Sequence, residues 1–203
     1  MTEKIINKFI KKGLILKEEK EIYICGLEQT LAYILNIISM LIIASFFNLI
    51  LEGILFTITY TCIRIYAGGY HTRTQLRYYI FSILILITVF FIINLKLIAN
   101  PIIIAILSII SSGIILYLAP VEDENKLLDE IEIKVYTKIT IRNLIILLIA
   151  LCITLIYNKI NVSVCICISL LCNGIMLILG KINNSIRYKY SKWVLYKFKI
   201  FFS

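Results

Sequence analysis

Six long apolar runs constrain this chain more than any other feature. They cover roughly residues 30–50, 53–66, 78–95, 102–119, 143–157 and 162–180. An α-helix rises about 1.5 Å per residue, so about 20 residues cross a hydrocarbon core of about 30 Å. Barrel strands alternate apolar and polar residues, and these runs do not. The sequence therefore predicts an all-α polytopic membrane protein with six transmembrane helices. A further amphipathic helix precedes them and lies in the membrane interface. At 61% hydrophobic, the chain is well above the level of about 45–50% typical of soluble domains.

Residues 1–24 lack the compact apolar core and small-residue cleavage site of a signal peptide. Ile5, Ile6, Phe9, Ile10 and Leu14 recur at helical spacing, while Lys4, Lys8, Lys11 and Lys12 fall mainly elsewhere. A helix of that kind can lie on anionic lipid. The division expected is a single domain over 1–203. It comprises an amphipathic arm (1–27), a six-helix core (28–180) and a basic, aromatic cytoplasmic tail (181–203). Residues 120–142 read as a charged loop between the fourth and fifth crossings.

Charge placement orients the chain. With the N-terminus in the cytoplasm, 19 of the 21 Lys and Arg fall on the cytoplasmic side, and only Lys96 and Lys159 lie outside. Positive charge is retained on that side, so both termini are expected in the cytoplasm of a cell membrane protein. The basic residues flank apolar segments and do not form one stripe, which argues against nucleic-acid binding.

The six cysteines, Cys25, Cys62, Cys152, Cys165, Cys167 and Cys172, contain no C-x-x-C pair. Most sit in apolar runs, where a thiol behaves as a small hydrophobe. With one histidine in the chain there is no metal-ligand spacing, and no cofactor is expected.

Chemistry concentrates between Arg64 and Tyr79. This stretch holds the single histidine, His71, three arginines (Arg64, Arg73, Arg77) and the pair Gly68-Gly69. Glycines there permit positive φ and close backbone approach. Thr72 or Thr74 can cap the third crossing. His71 then sits at the membrane boundary, where an imidazole titrating near neutrality can act as a base. Arg64 lies inside the apolar run, so it should face protein or water and find a partner.

Arg64, Gly69 and His71 together resemble the motif of the AgrB family, the accessory gene regulator B proteins of Gram-positive bacteria. The size of about 200 residues and the basic amphipathic N-terminal helix agree. Ala119-Pro120-Val121-Glu122-Asp123-Glu124-Asn125-Lys126 also resembles a family segment, with Leu127 where that segment has proline. The resemblance covers nearly the whole chain.

It implies a membrane cysteine endopeptidase that cuts a small AgrD-type pro-peptide. The enzyme holds the peptide as an acyl-enzyme, and a cyclic thiolactone or lactone then closes as the quorum-sensing signal. The implied partners are that amphipathic pro-peptide, the lipid bilayer and a second copy in a homodimer. His71 would be the base, with Arg64, Gly68 and Gly69 shaping the site.

The family's nucleophilic cysteine falls at Tyr78 here. A phenol has a pKa of about 10 against about 8.5 for a thiol, and it makes a poor acyl carrier. Two readings follow: a pro-peptide-processing enzyme, and a catalytically silent homologue that binds pro-peptide or a partner without cutting. Cys62 is the nearest thiol in sequence and the one substitute nucleophile to weigh. If residues 72–78 were helical, positions 71 and 78 would lie about 10 Å apart along the axis, so His71 should belong to a loop.

Overall fold

The computed structural model describes residues 2–11, 13–14, 16–70, 74–122 and 128–201, with side chains described as far as Ile186 except at Lys4, Lys11, Lys17 and Gln75. Its helices are α1 (Thr2–Lys11), α2 (Lys20–Phe46), α3 (Ile50–Ala67), α4 (Gln75–Asn94), α5 (Pro101–Leu118), α6 (Glu130–Ile156) and α7 (Ile160–Phe201). No strand occurs among the described residues; Gly68 and Val121 form one isolated parallel bridge. Among the described residues six helices are long and apolar enough to cross a membrane, so the protein is an all-α, multi-pass membrane protein.

Local sequence explains the breaks between helices. The far ends of α2, α4 and α6 each close on a left-handed residue: Asn48 (φ 55°), Lys96 (φ 52°) and Asn158 (φ 53°). At each, the next amide bonds the carbonyl five residues back, as in Leu49 N–H to Ala44 O at 2.8 Å. This pattern absorbs carbonyls that a helix end leaves free, and asparagine tolerates the conformation better than other residues with a Cβ. Asn100 caps α5 by accepting from Ile102 N–H (2.9 Å), and Pro101 occupies the first turn. Of the two threonines proposed as caps for α4, Thr74 serves: its hydroxyl accepts from Arg77 N–H.

Two boundaries differ from the sequence reading. The arm is not one helix over 1–24. Gly13 (φ 71°) stops α1, with Leu14 N–H bonded to Phe9 O, and α2 begins at Lys20 within the expected arm. α1 folds back on α2, with Ile6 buried and Lys20 Nζ paired to Glu3 Oε1 at 2.8 Å. The expected charged loop 120–142 is also shorter. α6 starts at Glu130, where the Glu132 carboxylate accepts from Asp129 N–H. An acidic first turn suits a helix N-terminus, and charge counting alone cannot see that.

α7 is the hub. Two-thirds of its spanning window (67%) is buried, against 17% to 28% for the other spans. It packs on α3, α5 and α6, whereas α4 packs mainly on α2 and only lightly on α7. In lipid, apolar contact alone gives helices little reason to associate, so close packing and polar links carry the assembly. Asn173 Nδ2 of α7 donates to Tyr60 O of α3 (3.2 Å), and Asn143 Nδ2 of α6 donates to Cys62 O (2.8 Å). Such links contribute about 0.6 kcal/mol each.

Candidate functional site

The site is built where α3 ends. Gly68 (φ 71°, ψ −143°) and Gly69 (φ 117°) turn the chain out of the helix in conformations that a Cβ disfavours. Their surroundings exclude a side chain as well. A Cβ on Gly68 would meet Val121 O, and one on Gly69 would meet Arg64 Nη1 and lie 2.9 Å from Met176 O.

Arg64, in the last turn of α3, donates through Nη1 to Gly68 O and through Nη2 to Tyr70 O. This answers what partners an arginine within the apolar run: it cross-braces the two carbonyls of its own outgoing loop. The loop is held from two further directions. Val121 N–H donates to Ala67 O (2.9 Å), and Gly69 N–H donates to Val121 O (3.4 Å). Tyr70 N–H donates to Met176 O of α7 (2.9 Å). One turn along α7, Gly180 leaves room for the loop; a Cβ there would fall 2.7 Å from Gly69 C and from Tyr70 N. Met176, Gly180 and Val121 are site-shaping residues that sequence reasoning missed. Gly180 follows an apolar run and could have been flagged, but its partner is more than a hundred residues away.

Beyond this brace lies a cleft of about 380 Å³ walled by α2, α3 and α4. Arg64 and Tyr70 line it beside Tyr78, so the structure brings Arg64 and Tyr78 to one cleft. Tyr78 sits one turn into α4, its N–H bonded to Thr74 O. Tyr70 meets Phe81 of α4 edge to face, with centroids 5.8 Å apart. The cleft's walls are apolar with convergent polar groups: Tyr33 and Asn36 from α2, Tyr60 from α3 and Ser82 from α4. Asn36 Oδ1 is buried without a hydrogen-bond partner. A largely apolar cavity with a few placed polar groups is the form of a ligand site.

His71, the proposed base, lies outside the described residues, as do Thr72, Arg73 and the stretch from Asp123 to Leu127. The aromatic tail side chains from Tyr188 onward are likewise outside.

No cysteine is among the cleft's described lining residues. Cys62 is exposed and points elsewhere, roughly 150° around α3 from the centre of that helix's lining set. Cys165 and Cys167 are buried on α7, with Cys167 Sγ 3.6 Å from Ile104 O of α5. Among the described residues no group of His, Cys, Asp and Glu could hold a metal ion.

A family model described as accessory gene regulator B matches residues 2–177. No curated protein and no solved structure matches the chain.

Proposed function

The chain belongs to the accessory gene regulator B family, and on that premise we propose that it holds an AgrD-type pro-peptide in the α2–α3–α4 cleft without cutting it. The observation that carries this reading is the placement of Tyr78. The position that supplies the family's thiol faces the cleft beside Arg64, and no cysteine stands there in its stead. Formation of a thioester acyl-enzyme needs a thiolate. A phenol is about 1.5 pKa units less acidic than a thiol, and its aryl ester would not serve as the same intermediate.

The Arg64–Gly68–Gly69 brace supports the holding half of the activity. It fixes the backbone that leads toward His71 through two of the five Arg64 N–H donors, and leaves the guanidinium charge in the cleft wall with no ion pair among the described residues. An amphipathic peptide would place apolar side chains against Phe56, Ile85 and Met40, and donors toward Asn36 Oδ1. The protein would act in the bacterial cell membrane with both termini in the cytoplasm, the orientation that the Lys and Arg distribution favours.

The test is reconstitution in vesicles with a synthetic AgrD-type pro-peptide. The unmodified chain should photocrosslink the peptide and release no C-terminal fragment. Tyr78→Cys should produce cleavage that disappears again with His71→Ala. Efficient cleavage by the unmodified chain, surviving Cys62→Ser, would overturn the proposal.

A further inference from the structure

α4 and α7 diverge at the membrane boundary and leave a second cavity between them, of about 550 Å³. Its walls are two helical stripes at the same spacing. α4 contributes Arg77, Ile80, Phe81 and Leu84; α7 contributes Leu179, Ile182, Asn183 and Ile186. The helices are antiparallel, so Arg77, Asn183 and Ile186 stand together near the ends of their spans, at Leu76 and Ile186. Leu84 and Leu179 lie deeper, Leu84 about 10 Å down the axis from Arg77. The groove is therefore polar and cationic at its mouth and apolar along its depth.

Among the described residues no counter-charge lines the groove. Arg77 is exposed, and its guanidinium makes no ion pair or hydrogen bond among the described residues. The side-chain amide of Asn183 likewise donates to no described residue. Neither α4 nor α7 contains a single Asp or Glu, so neither wall can supply an anion. A cation at the rim of an apolar, lipid-facing groove has one abundant partner of matching chemistry, the phosphate of a bilayer lipid whose acyl chain lies along the same groove.

We propose that the α4–α7 groove is a binding site for an anionic phospholipid. Arg77 and Asn183 hold the headgroup phosphate, and Ile80, Leu84 and Ile182 contact an acyl chain. Arg77 donates in charge-assisted hydrogen bonds, which are stronger than neutral ones. The Tyr70–Phe81 ring pair walls both this groove and the cleft, so the lipid sits back to back with the peptide-holding cavity.

The experiment is native mass spectrometry of the full chain in detergent, titrated with equal amounts of dioleoylphosphatidylglycerol and dioleoylphosphatidylcholine. The unmodified protein should retain phosphatidylglycerol preferentially. Arg77→Gln should reduce that preference about fivefold, the effect of one cation at an anionic surface. Arg142→Gln removes an exposed cation that does not line the groove, and should leave the preference unchanged. Ile182→Trp fills the apolar depth and should lower retention of both lipids. Equal loss of preference in Arg77→Gln and Arg142→Gln would reduce the effect to diffuse surface charge and overturn the site. Displacement of the lipid by millimolar inorganic phosphate alone would overturn the role of the acyl chain.

Discussion

Gly180→Ala isolates the contact that fixes the candidate site. The added Cβ would lie 2.7 Å from Gly69 C and Tyr70 N and 2.9 Å from Gly69 Cα. All three are backbone atoms, so no side chain can swing aside. Overpacking of this kind costs about 1–3 kcal/mol. Relief requires the loop to move off α7, which lengthens the Tyr70 N–H to Met176 O bond (2.9 Å) and costs about 0.5–1.5 kcal/mol more. Alanine returns up to about 1 kcal/mol of helix propensity. The net expectation is destabilisation of roughly 1–3 kcal/mol. Gly113→Ala is the internal control: it gains the same propensity, and its Cβ would meet nothing within 4 Å.

The assay is thermal unfolding in detergent, followed by a thiol-reactive dye on buried Cys165 and Cys167, with exposed Cys25, Cys62 and Cys152 and half-buried Cys172 replaced by alanine. At about 2–4 °C per kcal/mol for a chain of this size, Gly180→Ala should melt several degrees below the parent. Gly113→Ala should melt at or above it. Equal melting of the two variants would refute the reasoning, because it would mean that the loop does not rest on α7 at Gly180.

Two further outcomes follow from the same geometry. Arg64→Met should be worse than its loss of charge suggests: it leaves the Gly68 and Tyr70 carbonyls without their donor, at about 1–3 kcal/mol for each that stays buried, and Arg64→Lys should recover only part of this in the same melt. Lys20 holds the Glu3 carboxyl below its ordinary value of 4.5, first through its hydrogen bond and then through its charge. A carboxyl with a depressed folded pKa stabilises the docked α1 above the unfolded value and loses that contribution as pH falls through the folded one. Protection of the α1 amides, taken relative to their intrinsic exchange rates at each pH, should therefore fall only below about pH 4.5, and Lys20→Gln should abolish that pH step; an unchanged step in the variant would refute the pairing.

Much of the fold is legible because lipid leaves few choices. Every backbone group in the hydrocarbon must be paired within its own segment, so an apolar run of sufficient length is a helix almost regardless of neighbours. Asn48, Asn100, Thr74 and Pro101 then mark helix ends by local rules, and the Gly68-Gly69 pair announces a turn. Residues 130–142, expected as loop, are helical. Their charges signal exposure, and an exposed segment is helical or not according to capping and docking that polarity does not encode.

The sequence by itself determined six crossings and the polar stretch between Arg64 and Tyr79 that interrupts them. Those are properties of composition, run length and short spacing; the expectation of a thiol at Tyr78 comes from the family resemblance. Tertiary structure alone decided that α7 is the central helix, that Arg64 spends its donors on Gly68 and Tyr70, that Gly180 and Val121 grip the loop, and that Tyr78 faces a cleft without a thiol. Apart from the Arg64 brace, which spans only four and six residues, each depends on contacts between residues tens to more than a hundred positions apart, set by helix rotation and crossing. In a bilayer those are governed by steric fit among small residues and by a few interhelical hydrogen bonds, and apolar patterning contains little information about either.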